Sequence, residues 1–106
     1  MIYLASPYSH PNPHVREQRF EAVCRVAAEL IRAGHSVFSP IAQFHPIAKY
    51  GLPTDWEFWE RHCREQISRC DELVVVKLDG WERSVGVQAE IGIAKEHGKT
   101  IAKIFP

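Results

Sequence analysis

Ser84, Gly86 and Glu90 fall within one short stretch, Asp79-Gly80-Trp81-Glu82-Arg83-Ser84-Val85-Gly86-Val87-Gln88-Ala89-Glu90. If a helix begins at Ser84, Gly86 and Glu90 lie one turn apart on the same face. The missing side chain at Gly86 then leaves a gap in which a ligand could lie against the Glu90 carboxylate, the setting a nucleophilic carboxylate needs. Ser84 would stand among the free N–H groups of the helix start, where the dipole favours an anion. Its hydroxyl could cap the helix or bond a phosphate, and spacing does not separate the two. Spacing alone favours a plainer reading, with Glu90 a surface helix residue and Gly86 a packing accommodation. Ser6, Tyr8 and Ser9 add hydroxyls in a second stretch, where turn chemistry accounts equally well for Ser and Pro. Trp81, next to Gly80, could stack on a base or sugar or plug the sheet edge.

Other chemistries are excluded or weak. Neither GxxxxGK nor GxGxxG occurs, so no P-loop or dinucleotide fingerprint is present and no cofactor is implied. His10 and His14 are separated by prolines, His62 and Cys63 point in different directions on a helix, and Cys63 and Cys70 lie two turns apart. None of these makes a zinc set, and no metal is expected. Cys24, Cys63 and Cys70 are odd in number and lack CxxC spacing, which fits reduced thiols acting as small hydrophobes. Trp56 and Trp59 are three apart on a helix, where core packing is the default account.

The elements that must position these residues alternate. Ile2-Tyr3-Leu4-Ala5 is a first strand, ended by Ser6-Pro7 and a loop to Pro13. From His14 to about Ala33, Phe20, Val23, Cys24, Ala27, Leu30 and Ile31 follow helical spacing, with Pro13 at the entry and Gly34 at the exit. Ser36-Val37-Phe38-Ser39 is a second strand, and the Pro- and Gly-rich stretch from Ile41 to Pro53 predicts a long loop. Thr54 and Glu57 match a capping box opening a helix to about Ser68. Leu73-Val74-Val75-Val76 lacks polar alternation, as a central parallel strand covered on both faces should. A helix from about Val85 to His97 and a strand over Thr100–Ile104 complete the order.

Strand and helix in alternation imply an α/β fold, a three-layer, doubly wound parallel sheet of four to five strands in one domain. In such sheets ligands bind beyond the carboxyl ends of the strands. That rule selects Ser6–Ser9, Pro40–His45 and Asp79–Gly86.

Composition narrows the partners. Thirteen Lys and Arg balance thirteen Asp and Glu in 106 residues. The neutral balance argues against a nucleic-acid binder and against a polybasic membrane-surface module. Apolar runs of a few residues cannot span a bilayer, and no basic n-region leads Ile2, so a cytoplasmic location is expected.

The ordered segments Ile2-Tyr3-Leu4-Ala5-Ser6-Pro7, Gly34-His35-Ser36-Val37-Phe38-Ser39-Pro40 and Cys70-Asp71-Glu72-Leu73-Val74-Val75-Val76-Lys77-Leu78-Asp79-Gly80 carry a resemblance, as do Ser84-x-Gly86-x-x-x-Glu90-x-Gly92-x-Ala94 and Gly98-Lys99. Together they resemble the nucleoside 2-deoxyribosyltransferase superfamily, nearest to short bacterial and phage proteins beginning YLASPYSHP. The resemblance implies a flavodoxin-like sheet acting on an N-glycosidic bond. Glu90 matches the catalytic glutamate, which attacks the anomeric carbon to form a glycosyl-enzyme that water or a second base resolves. Tyr3 and the Ala5-Ser6 backbone match the loop beside the sugar, and Asp79 and Trp81 the base or sugar contacts. Relatives complete the site with a neighbouring subunit, so self-association is expected, through the Trp56/Trp59 helix.

Two positions depart from the family pattern. Ser84 stands where the transferases carry Asp, and a hydroxyl at a helix start accepts a 5′-phosphate that a carboxylate would repel. This is similar to the related 2′-deoxynucleoside 5′-monophosphate N-hydrolases. Cys63 stands where many relatives carry an acid that protonates the base, leaving that proton to Asp79, Asp55 or a partner subunit. The expected function is therefore hydrolysis or transfer of the glycosyl group of a nucleoside 5′-monophosphate. A nucleotide- or sugar-phosphate-binding module without catalysis is the competing expectation.

Overall fold

The apolar run of the third strand and the opening strand lie side by side at the centre of a four-stranded, all-parallel sheet of order Val37–Phe38, Ile2–Ala5, Glu72–Val76, Thr100–Ile104. The computed structural model describes all 106 residues. Its elements are β1 (Ile2–Ala5), α1 (Pro13–Arg32), β2 (Val37–Phe38), α2 (Pro40–Ala48), α3 (Trp56–Arg69), β3 (Glu72–Val76), α4 (Val85–Glu96) and β4 (Thr100–Ile104). Tyr3 is in register with Phe38 on one side and Leu73 on the other.

Pleating sends alternate side chains of the two inner strands to opposite faces. Ile2, Leu4, Val74 and Val76 pack with Val23 and Val26 of α1 in one core. Tyr3, Ala5, Leu73 and Val75 pack with Cys63 and Ile67 of α3 and Val87, Ile93 and Ala94 of α4 in the other. Helices thus cover both faces, which is why these strands read as unbroken apolar runs. The result is the α/β, three-layer, flavodoxin-like arrangement. The chain leaves β1 toward β2 on one side and β3 toward β4 on the other, so a crevice opens beyond the ends of β1 and β3.

Three local expectations are corrected. Pro40–Ala48 is a helix rather than part of a loop. The Ser39 side chain caps it by accepting from the Ala42 amide at 3.2 Å, Pro40 occupies its first turn, and Phe44 is buried beneath it. Pro46 lies inside the helix, where it can donate no backbone hydrogen bond. The cap of α3 is Asp55, not Thr54: its carboxylate accepts from the Phe58 amide at 3.3 Å. Trp81–Arg83, expected as loop, forms a single 3-10 turn entered through Gly80 at φ 88°. A side chain at Gly80 would be strained by that backbone angle and would crowd the Arg19 guanidinium at 3.2 Å. No helix is long and apolar enough to cross a membrane.

Candidate active site

A cleft of about 1000 Å³ opens at the crevice beyond β1. The turn after β1 contributes Ser6, Tyr8, Ser9 and His10; α1 contributes Arg19; α2 contributes Phe44; and the start of α3 contributes Asp55, Trp56, Glu57 and Trp59. The turn before α4 and its first residues bring Gly80, Arg83, Ser84 and Gly86, and Glu90 completes the wall one turn further on.

Glu90 is not the surface residue that spacing alone favoured. It is only 5 % exposed, and the Tyr3 hydroxyl donates a hydrogen bond to its Oε2. Burial pushes the Glu90 carboxyl up to about 8, opposed by the Tyr3 hydrogen bond, which stabilises the ionised form. Tyr3 is wholly buried, and desolvation together with the nearby Glu90 charge raises its own pKa well above the usual tyrosine value. The phenol therefore stays protonated and serves as a fixed donor. Cys63 is buried beside the pair, and its thiol is pushed up to about 12, first by burial and then by the Glu90 charge.

Ser84 caps α4: its Oγ accepts from the Val87 amide at 3.2 Å. Capping uses an oxygen lone pair and leaves the hydroxyl proton free to donate to a ligand. The two roles left open by spacing are therefore compatible. Gly86 borders the cleft, and a Cβ there would meet Trp56 at 3.6 Å and Ser84 Oγ at 3.9 Å, both ordinary contacts. Packing does not demand glycine at this position. Ser6 is 5 % exposed and lines the cleft, yet its Oγ has no hydrogen-bond partner in the protein. A buried, unpaired hydroxyl is costly and is available to a polar ligand.

The other sequence candidates fall elsewhere. Ala5 is wholly buried in the core behind the cleft, and Tyr3 reaches the site only through Glu90. Asp79 and Trp81 line a separate depression of about 320 Å³ with Lys77, Leu78, Glu82 and Phe105, outside the Glu90 cleft. The reason is the 3-10 turn, which carries Trp81 against the β4 side, where Lys103 lies 5.5 Å from its ring centre. Trp56 and Trp59 pack against the core and also form cleft wall, with Trp59 stacked on Phe44 at 4.0 Å between ring centres.

Sequence reasoning missed two features. Arg19 and Arg83 both line the cleft, and neither forms an ion pair. Arg19 donates only to backbone carbonyls, Ser9 at 3.0 Å and Asp79 at 3.3 Å, and burial lowers its pKa against the counter-pull of Asp79. The second is a chain from Tyr8 through His45 to Glu17, drawn from three separate elements. Their separations of 37 and 28 residues carry no local signal.

One end of the cleft thus offers guanidinium groups, a hydroxyl and a helix start, and the wall offers a desolvated carboxyl. No three His, Cys, Asp or Glu side chains converge as a metal set would.

The family model described as "Domain of unknown function (DUF1937)" matches residues 1–104. The chain belongs to the DUF1937 family. The match takes in every element of this DUF1937 domain, and with them Tyr3, Ser6, Ser84 and Glu90. No curated protein matches the chain.

Proposed function

We propose that this DUF1937 domain cleaves the N-glycosidic bond of a nucleoside 5′-monophosphate, with Glu90 as the nucleophile and water or a second base as the acceptor. The observation that carries the reading is the Glu90 carboxyl, buried in the wall of a cleft and hydrogen-bonded by Tyr3. A carboxylate stripped of water attacks an anomeric carbon effectively, because the positive charge developing there compensates for its burial. That charge also favours ionisation of a group that burial holds mainly as the neutral acid near pH 7. Tyr3 orients the carboxyl through its hydrogen bond to Oε2.

The remaining walls suit the rest of a nucleotide. The Ser84 hydroxyl, the amides of the α4 start and the unpaired guanidinium groups of Arg19 and Arg83 form an anion-favouring end for the 5′-phosphate. Trp56, 3.6 Å from where a Gly86 Cβ would stand, and Trp59 give the cleft an aromatic surface for a base. The Ser6 hydroxyl supplies a polar contact for the sugar. The resemblance to the deoxyribosyltransferase superfamily supports the same assignment.

Incubation with ribo- and deoxyribonucleoside monophosphates, followed by chromatography for free base, tests this directly. Release of base supports the reading, and no release from any of them contradicts it.

A second reading, a nucleotide- or sugar-phosphate-binding module without turnover, is favoured by one observation. At the place of the family acid stands Cys63, a thiol held neutral by burial. That reading predicts ligand affinity without base release.

Self-association completes the proposal. Trp56 and Trp59 are occupied by the core and cleft, but Phe58 on the same helix and Tyr50 and Leu52 before it are exposed large hydrophobics, so α3 keeps an apolar surface for a second copy. A dimeric mass at micromolar concentration is expected. Three free thiols fit a reducing cytoplasm.

A further inference from the structure

Tyr8, in the turn after β1, lines the same cleft as Glu90. Its hydroxyl lies 2.7 Å from His45 Nδ1 on α2, and His45 Nε2 lies 2.6 Å from Glu17 Oε2 on α1. Phe20 stacks on the imidazole at 4.4 Å between ring centres, fixing its plane. The three polar groups therefore form one directed line from a carboxylate to a hydroxyl in the cleft.

The geometry fixes which proton can move. Glu17 accepts from Nε2–H, so Nδ1 faces Tyr8 in either charge state. A neutral ring accepts the Tyr8 proton. A charged ring donates to the Tyr8 oxygen and frees the phenolic O–H for a ligand. The heavy atoms need not move between these states, and Glu17 holds the ring in one tautomer and orientation, as a carboxylate does for an acid–base histidine. Partial burial raises the Tyr8 pKa, so the phenol keeps its proton at neutral pH.

Other titratable side chains line the cleft, Glu57 among them, exposed and held by no hydrogen bond. Asp55 is engaged as the α3 cap, Asp79 faces the other depression, and the Cys63 thiol is buried against Glu90 itself. His10 stands exposed at the rim, with Nδ1 accepting from the Asn12 amide.

We propose that Tyr8, with His45 and Glu17 behind it, is the acid–base group of this cleft. The inference rests on the glycosidase reading above. In the first half-reaction Glu90, ionised on nucleotide binding with its proton released to solvent, bonds through one oxygen to C1′ as the C1′–N bond breaks. Tyr8 gives its proton to the departing nitrogen and takes one from His45 Nδ1. In the second, a water oxygen bonds to C1′ as the ester to Glu90 breaks. The water proton passes to Tyr8 and the Tyr8 proton returns to His45. The sum is nucleotide plus water giving free base plus sugar phosphate. Tyr8 is the catalytic residue, and His45 and Glu17 are positioning residues.

The test compares the wild type with Tyr8→Phe and His45→Gln in single turnovers on two substrates. One is a nucleoside monophosphate that the wild type cleaves. The other is the nitrophenyl glycoside phosphate of the same sugar, whose phenolate leaves without protonation. Thermal melting establishes that each variant is folded, and either variant alone suffices for the comparison. Both variants should lose on the order of 100-fold on the nucleotide and less than about fivefold on the nitrophenyl substrate. Equal losses on the two substrates, or none, with an active wild type overturn the relay and leave the glycosidase reading standing. A wild type inactive on both substrates overturns the two together.

Discussion

The Tyr3 hydroxyl donates to the Glu90 carboxyl, joining the first strand to the last helix across 87 residues of sequence. Both residues belong to the core face shared by β1 and α4, so the Glu90 carboxyl is held by the packing that stabilises the sheet. Such a position fixes its orientation but makes its charge expensive.

That expense sets a dependence of stability on pH. In the folded chain Glu90 titrates at about 8, against an ordinary value of 4.5 when unfolded. Between these values the folded state keeps a proton that the unfolded state has released. Stability contributed by Glu90 is therefore complete below the unfolded value, falls as pH rises by up to about 1.4 kcal/mol per unit, and levels off above the folded value. Glu90→Gln keeps an acceptor for Tyr3 and removes the titration. Its stability advantage over the wild type in chemical denaturation should widen steadily from pH 5 to pH 8. A constant difference would contradict the assignment.

Ser6 should separate stability from binding. Its hydroxyl is buried without a partner, so Ser6→Ala should leave the melting temperature unchanged or raise it slightly. If the hydroxyl meets the sugar, nucleotide affinity should fall roughly tenfold, one neutral hydrogen bond's worth. Calorimetric titration beside a thermal melt reads both. Loss of stability with unaltered affinity would remove Ser6 from the site.

Much of this arrangement was legible in the sequence, for reasons that are local. β1 and β3 announce themselves because a strand covered on both faces has no polar alternation, and α1 because its stripe keeps helical spacing between Pro13 and Gly34. The start of α4 at Ser84 follows from capping chemistry. Where the sequence misled, tertiary structure decided. α2 carries two prolines that suggest a loop, yet the burial of Phe44 and the Ser39 cap hold it helical. Glu90 has the spacing of a surface residue, and only the covering by α3 and β1 buries it. The resemblance grouped Tyr3 with Glu90 but also placed Asp79 and Trp81 beside the substrate, and the 3-10 turn sends those two to the neighbouring depression. Arg19 and the Tyr8–His45–Glu17 line depend on contacts between distant elements that no periodicity records.

The basic end of the cleft should discriminate by phosphate. Arg83 is exposed at the rim without an ion-pair partner, so Arg83→Gln should cost little stability. Loss of one charge-assisted contact should weaken binding of a nucleoside monophosphate about tenfold or more and leave the corresponding nucleoside nearly unaffected. Added salt should narrow the gap between wild type and variant. Equal weakening for both ligands would place the phosphate elsewhere.

The account stands or falls on Glu90 as the group that attacks C1′. The most direct measurement is the rate of base release by Glu90→Gln, taken beside its affinity for the same nucleotide. The account predicts a rate at least about 1000-fold below wild type, with affinity kept within a few-fold, because the amide fills the same space but cannot form the glycosyl bond. Turnover comparable to the wild type would contradict it.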